Sequence, residues 1–318
     1  MDRAIIGVDL GGTQMRAARF DPQLAIEQRL AEPTKAREGR DRVIARLLDL
    51  IARVVPGDAA SLEGIGISVP GPINPHAGTV VKPPNLPGWH NVPIRQIIEE
   101  RFGCPTYLGN DANVAALAEA TRGAAQGYRY VLYLTVSTGI GSGILEDGRL
   151  LVGAQGLGAE AGHILMVVNG EVLDIEQVAS GTAIARQAVA RLRAGEPSTI
   201  RARVGDDLDS VTAKIVGQAA AEGDSLALEL IQRAGFMVGL TVASLLHVFN
   251  PQIVVIGGGV SNAGELFFAP LRNAVTAHVL DPAYCEQVPI VQAALGDNVA
   301  LIGAGALVTT QGGRFLWS

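Results

Sequence analysis

A chain of 318 residues is longer than a single hydrophobic core usually grows, which predicts two lobes. With 25 Lys and Arg against 31 Asp and Glu, the net charge of −6 speaks against nucleic acid or an anionic membrane as a partner, because both need clustered cations. Only Cys104 and Cys285 are present, far apart in sequence, so no disulfide framework or cysteine-based zinc site is indicated and a reducing, cytoplasmic setting is expected.

The opening Met1-Asp2-Arg3-Ala4 runs straight into a short apolar stretch, without the h-region and cleavage site of a secretory signal. Ala4 to Val8 and Met15 to Phe20 read as two strands joined by the tight turn Asp9-Leu10-Gly11-Gly12-Thr13. Helical spacing of Val43, Ile44, Leu47, Leu48 and Ile51 predicts a helix from Arg42 to Val54, and Ile65 to Val69 reads as a buried strand ending at Pro70-Gly71-Pro72. A long loop, Ile73 to His90, is rich in Pro, Asn and Gly, and a loop of that length usually carries function. Short helices are expected over Ile94 to Phe102 and Ala112 to Thr121, the second following Asn110-Asp111. Asp111 by itself would suit the role of that helix's N-cap.

Tyr130 to Thr135, a second glycine-rich turn over Thr135 to Gly143, and Ile144-Leu145 repeat the opening plan, which predicts an internal duplication. Helices are then expected over Thr182 to Arg193, Val211 to Ala221 and Ser225 to Phe249. The most apolar part of the last, Phe236 to Phe249, is shorter than the roughly 20 residues that span a bilayer. Ile253 to Ile256 is a buried strand running into Gly257-Gly258-Gly259, with helices beginning near Asn262 and Asp297. Strands alternating with helices predict an α/β fold with covered sheets.

Glycine lacks a Cβ, so glycine-rich turns let several backbone N–H groups converge on one anion. Two such turns and a carboxylate point to a nucleoside triphosphate. The ordered segments resemble the ROK family of sugar kinases within the actin-like ATPases, over nearly the whole chain. Asp9-Leu10-Gly11-Gly12-Thr13 and Ser137-Thr138-Gly139-Ile140-Gly141 are similar to the family's two phosphate motifs, and Asn110-Asp111-Ala112-Asn113 to its catalytic segment. Glu160-Ala161-Gly162-His163 and Ile175-Glu176-Gln177-Val178-Ala179-Ser180-Gly181 resemble its sugar-binding segments, Gly257-Gly258-Gly259 its adenosine motif, and Pro83 to Trp89 the sugar-contacting loop of its glucokinases.

The resemblance implies a two-lobed actin-like fold, a duplicated ribonuclease H-like core with an interlobe cleft. It implies a small lobe of residues 1–118 plus 297–318, a large lobe of residues 119–296, and a homodimer or homotetramer. It makes Asp111 the general base and places Gly71, Asn85, Asn110, Asp111, Glu160, His163 and Glu176 around a hexose. Asp9, Gly11, Gly12, Thr13, Thr138, Gly139, Gly258 and Gly259 would hold ATP, with Mg²⁺ near Asp9 through water. An ordinary aspartate value near about 4 would leave Asp111 ionised at neutral pH.

One departure stands out. The family's three zinc-binding cysteines, counted back from Glu176, fall on Val167, Asn169 and Asp174, so no structural zinc is expected and His163 is left to hydrogen bonds. The activity implied is ATP-dependent phosphorylation of a hexose, D-glucose before fructose, mannose or an N-acetyl amino sugar. The family's relatives include transcriptional repressors with an N-terminal helix-turn-helix, for which a phosphate hairpin starting at Ala4 leaves no room. A sugar sensor without catalysis is the reading from another class.

Overall fold

The computed structural model describes residues 3–57 and 61–314. Met1 and Asp2, where the absence of a signal was read, lie outside the described residues. By its contacts the chain divides into two compact units, the first comprising Met1–Val131, Gly143–Ala159 and Ala293–Ser318, the second Leu132–Ser142 and Glu160–Gln292.

In chain order the first elements are β1 (Ala4–Leu10), β2 (Gln14–Phe20), β3 (Ile26–Pro33), α1 (Arg40–Ala52), β4 (Leu62–Val69), β5 (Ile73–Asn74), β6 (Thr79–Val80), α2 (Ile94–Phe102), β7 (Thr106–Asn110) and α3 (Asp111–Arg122). They are followed by β8 (Val131–Val136), β9 (Ile140–Glu146), β10 (Arg149–Leu150), β11 (Leu165–Val168), β12 (Glu171–Asp174), α4 (Ile175–Ala179), α5 (Gly181–Arg193), α6 (Ile200–Val204) and α7 (Ala213–Ala221). The chain then runs through α8 (Ser225–Phe249), β13 (Ile253–Gly257), α9 (Glu265–His278), β14 (Ile290–Gln292) and α10 (Val299–Thr309).

Two five-stranded sheets carry the fold, ordered β3-β2-β1-β4-β7 and β10-β9-β8-β13-β14. The orders correspond strand for strand: each sheet has a glycine-turn hairpin (β1–β2, β8–β9) and, beyond the hairpin's first strand, two more strands. That is the duplication the sequence predicts. Strands β1, β4 and β7 are parallel, with Asp9 opposite Ser68 and Val69 opposite Asn110, so their carboxyl ends lie side by side. In open α/β sheets this is where ligands bind.

The core of the first unit is apolar and closed, with Ile6, Val8, Leu47, Ile65 and Ile67 fully buried. Helix α10 presses on α3 so closely that a Cβ at Gly303 would strike the carbonyl of Val114. A buried carboxylate fixes that corner: Glu119, at the end of α3, accepts from the N–H groups of Ala124 (2.8 Å), Ala294 (3.0 Å) and Leu295 (3.1 Å). Three donors on a fully buried acid compensate its loss of water.

Several expectations are revised. The second turn is shorter than the glycine spacing suggests: Gly141 and Gly143 belong to β9, and only Ser137 to Gly139 form the tip. Gly143 has no side chain because the strand passes against α3, where a Cβ would sit 2.6 Å from the Ala112 carbonyl. The helices expected near Asn262 and Asp297 start at Glu265 and Val299, each preceded by a 3₁₀ turn. The Ile73 to His90 segment contains β5 and β6 and is anchored by Leu86 and Trp89, both buried in the core. Helix α8, at 25 residues, is long and apolar enough to cross a membrane, but 67% of its most apolar window is buried inside the protein, which accounts for its composition.

Candidate active site

In the first unit the site grows from the β1–β2 hairpin. Gly11 N–H donates to the Gln14 carbonyl (3.0 Å), closing the turn. Thr34, fully buried just past β3, pins it twice, its hydroxyl donating to the Gly11 carbonyl (2.6 Å) and its N–H to the Thr13 carbonyl (2.8 Å). Asp9 and Arg16 face each other across the hairpin, and Arg16 grips Asp9 Oδ2 through Nε (2.8 Å) and Nη2 (2.6 Å). Both side chains are more than four-fifths buried, so this pair is worth more than an exposed one.

Asn110 and Asp111 divide the labour at the start of α3. Asn110 is the N-cap, its Oδ1 accepting from Asn113 N–H (2.7 Å). Asp111 is therefore the first helical residue, and its Oδ1 accepts from the adjacent Ala112 N–H (2.9 Å). The idea that Asp111 caps the helix is thus corrected by one position. The carboxyl is open to solvent yet crowded by protein, and its ionisation shifts upward from the ordinary aspartate value. Desolvation is the main cause, the Asp9 charge adds to it, and the Ala112 N–H opposes it.

Asn85 also comes to this place. A Cβ on Gly12 would lie 2.6 Å from Asn85 Cβ, so glycine at position 12 is what lets the proline-rich loop touch the turn. Together with Thr13, Lys35 and Arg37 these residues line a cavity of about 420 Å³. Gly71 lies in the bend after β4, with open space where a Cβ would be. A larger cavity of about 540 Å³ in this unit contains none of these residues.

The second unit builds its turn from backbone and one carboxylate. Ser137 N–H donates to the Gly139 carbonyl (2.8 Å), while Gly181 N–H and the Thr182 hydroxyl, at the start of α5, donate to the carbonyls of Ser137 (2.6 Å) and Thr138 (2.7 Å). Glu176 reaches from α4 to accept from Ile140 N–H (2.8 Å), and a Cβ on Gly139 would collide with its Oε2. Gly162 is similarly forced, packed on the Ile140 carbonyl. His163, 61% exposed, points Nδ1 at Asp174 Oδ2 (3.2 Å).

Thr138 and Gly259 share a cavity of about 450 Å³ with Thr182, Ala185, Val211, Lys214 and Val260. Gly258, at φ +86°, is wedged against Val136, where no side chain fits. Thr182, Lys214, Arg16 and Thr34 were not singled out from the sequence. Arg16 had a signal, since Asp9 and Arg16 flank the hairpin turn at paired positions.

Two metals are implied. Mg²⁺ keeps most of its waters and takes phosphate oxygens, so it needs little more than one carboxylate; Asp9, oriented by Arg16 through one oxygen and keeping the other, suits it. Zinc does not fit: Val167 has no ligating atom, Asn169 occupies a left-handed turn position at φ 53°, and His163 Nδ1 is turned to Asp174. Among the described residues no three His, Cys, Asp or Glu are grouped to hold a metal ion.

Parallel strands ending beside a glycine-turn hairpin, and a second sheet of the same strand order with its own glycine turn, define the actin-like ATPase fold class. The chain belongs to the ROK family, whose model matches residues 5–311. It is 36% identical over 313 residues to a glucokinase of Thermotoga maritima, covering 96% of both chains. A ROK family glucokinase from Streptomyces griseus, solved in complex with glucose and AMPPNP, superposes with a TM-score of 0.78 at 30% identity, covering 96% of this chain and 98% of that one. A ROK family transcriptional regulator, a homologue of the E. coli MLC protein, superposes at 0.84 with 28% identity, covering 97% of this chain and 78% of that one.

Proposed function

We propose that the protein is an ATP-dependent hexose kinase that phosphorylates D-glucose at its 6-hydroxyl, with Asp111 as general base. The observation that carries this is the separation of roles at the head of α3: Asn110 secures the helix, leaving Asp111 free at a strand end on the same edge as Asp9, with one strand between them and close enough to feel its charge. Asp111 accepts the proton of the sugar hydroxyl as that oxygen attacks the terminal phosphorus and the bond to ADP breaks, a contribution of about 10²–10⁴ in rate. Phosphoryl transfer has a loose transition state, so the remaining residues position groups and offset charge. Gly12 and Thr13, and Thr138 and Gly139, present N–H groups to phosphate oxygens, while the Gly11 N–H closes the first turn. Gly258 and Gly259 bound the adenosine. Asp9 would hold Mg²⁺ through water, and the ion would supply charge neutralisation on the phosphates.

Asn85, Asn110 through its amide NH₂, Glu160, His163 and Glu176 meet the sugar's hydroxyls, with Gly71 leaving room beside them. A site that pairs with many hydroxyls rejects analogues lacking one, because a buried polar group is then left unmatched. Fructose, mannose and N-acetyl amino sugars are the alternative acceptors. Two or four copies of the chain are the assembly to look for.

A coupled ADP-release assay over a hexose panel tests the proposal, with glucose expected to give the highest kcat/KM. Sugar binding by calorimetry without ADP release from any hexose would instead identify a sugar sensor, the reading that the regulator among the structural neighbours keeps in view.

A further inference from the structure

The segment in which the family's zinc ligands would lie is a two-stranded hairpin, a sheet of its own. Strands β11 and β12 pair Leu165 with Asp174, Met166 with Leu173, Val167 with Val172 and Val168 with Glu171, joined by Asn169-Gly170 at φ 53° and 83°. An Asn-Gly pair with both φ positive is the two-residue turn that matches strand twist, so the hairpin needs no metal to close. Its ladder is continued by Ile175 N–H donating to the Ile164 carbonyl (3.0 Å), which sets His163 and Asp174 together.

We propose that Asp174 is the positioning residue that takes over the metal's task, fixing His163 and Glu176 in one arrangement. Its two carboxylate oxygens do different work. Oδ1 accepts from Gln177 N–H (2.8 Å), while its own N–H donates to Gln177 Oε1 (3.1 Å), a reciprocal cap that starts α4 and so places Glu176. Oδ2 faces His163 Nδ1 (3.2 Å). An ionised carboxylate only accepts, so Nδ1 carries the hydrogen and, in the uncharged ring, Nε2 is left as an acceptor.

That reverses the polarity of the ring. A zinc-bound imidazole keeps its hydrogen on the nitrogen away from the metal and offers a donor there. Here the outward nitrogen calls for a ligand group that donates, a hydroxyl or N–H rather than a bare carbonyl. The consequence for sugar recognition rests on the reading of His163 and Glu176 as sugar contacts.

The test uses the full-length protein and begins without sugar. In ¹⁵N-histidine spectra of the five histidines, with His163 assigned from His163→Gln, the wild type is expected to show the Nδ1–H form. Asp174→Ala moves it to Nε2–H, and so does Asp174→Asn, which still caps α4 through Oδ1 but turns an NH₂ donor towards Nδ1 in place of Oδ2. In kinetics, Asp174→Ala raises KM for the sugar about tenfold with KM for ATP little changed, and Asp174→Asn, which keeps the cap and loses only the ring's polarity, raises it by a smaller factor, about threefold. Metal analysis is expected to find no stoichiometric zinc. One zinc per chain, or a tautomer indifferent to Asp174→Ala, overturns the proposal. If the tautomer responds but neither Asp174→Ala nor His163→Ala alters sugar KM, then the sugar-contact reading fails and the Asp174 assignment stands. Thermal unfolding of each variant separates these results from loss of fold.

Discussion

The two glycine turns occupy equivalent places in sheets of the same strand order, yet they are stabilised by different means. The first is set among charges: Asp9 is gripped by Arg16, Asp111 lies two strands across at the same edge, and Lys35 and Arg37 line the adjoining cavity. The second is held by carbonyls that accept from α5 and by a single carboxylate, Glu176, and it opens on a cavity lined by Ala185, Val211 and Val260. One framework thus yields a turn set among several charges, to which the proposal gives the chemical step, and a turn held largely by backbone, to which it gives the nucleotide. Variants in the first should act on kcat, and variants in the second on KM.

The most severe challenge to that contrast is Asp111→Asn. It is expected to lower kcat at least about 10²-fold while the unfolding midpoint moves by only a few degrees, because Asn110 still caps α3. Near wild-type turnover, measured by coupled ADP release, would remove the base from the first turn. Next comes Glu176→Ala, which leaves the Ile140 N–H without its acceptor; about 10-fold to 10²-fold in kcat/KM for the sugar is expected, and an unchanged value would detach α4 from the site. Gly139→Ala forces Glu176 off the same N–H by contact alone, and should raise KM for ATP about tenfold with kcat largely kept. A fall in kcat alone would erase the distinction between the turns.

The smallest effect is a shift in pH dependence. Below its raised ionisation Asp111 is protonated and cannot accept, so kcat/KM should fall with pH along a limb lying above the ordinary aspartate value of about 3.9. Arg16→Gln leaves the Asp9 charge uncompensated and should move that limb higher, by less than about one unit. A limb that moves down, or stays fixed, would show that Asp9 and Asp111 do not sense each other.

Much of the fold was legible because its signals are local. Apolar runs flanked by glycine turns located β1, β8 and β13, and 3.6-residue spacing located α1, α2, α5 and α8 to within about two residues. What escaped was built from long-range pairing. Strand β3 alternates half-buried and exposed residues along a sheet edge and reads as polar sequence, while β7 is only five residues long. Hairpin β11–β12 was hidden beneath a count of missing cysteines, although Asn169-Gly170 announces it. The ambiguity between Asn110 and Asp111 had a physical origin too, since both types favour the N-cap and only the observed Asn110–Asn113 bond assigns it.

With Asp111 as the proposed base, that one-residue offset makes catalysis detachable from architecture. The amide that begins α3 and the acid that follows it can be altered independently, so a chain that lost the acid would keep its helix, its hairpins and its cavities. Within a family that also contains regulators, a single carboxylate at a helix's first position is a short mutational distance between a transformer of sugars and a mere receiver of them.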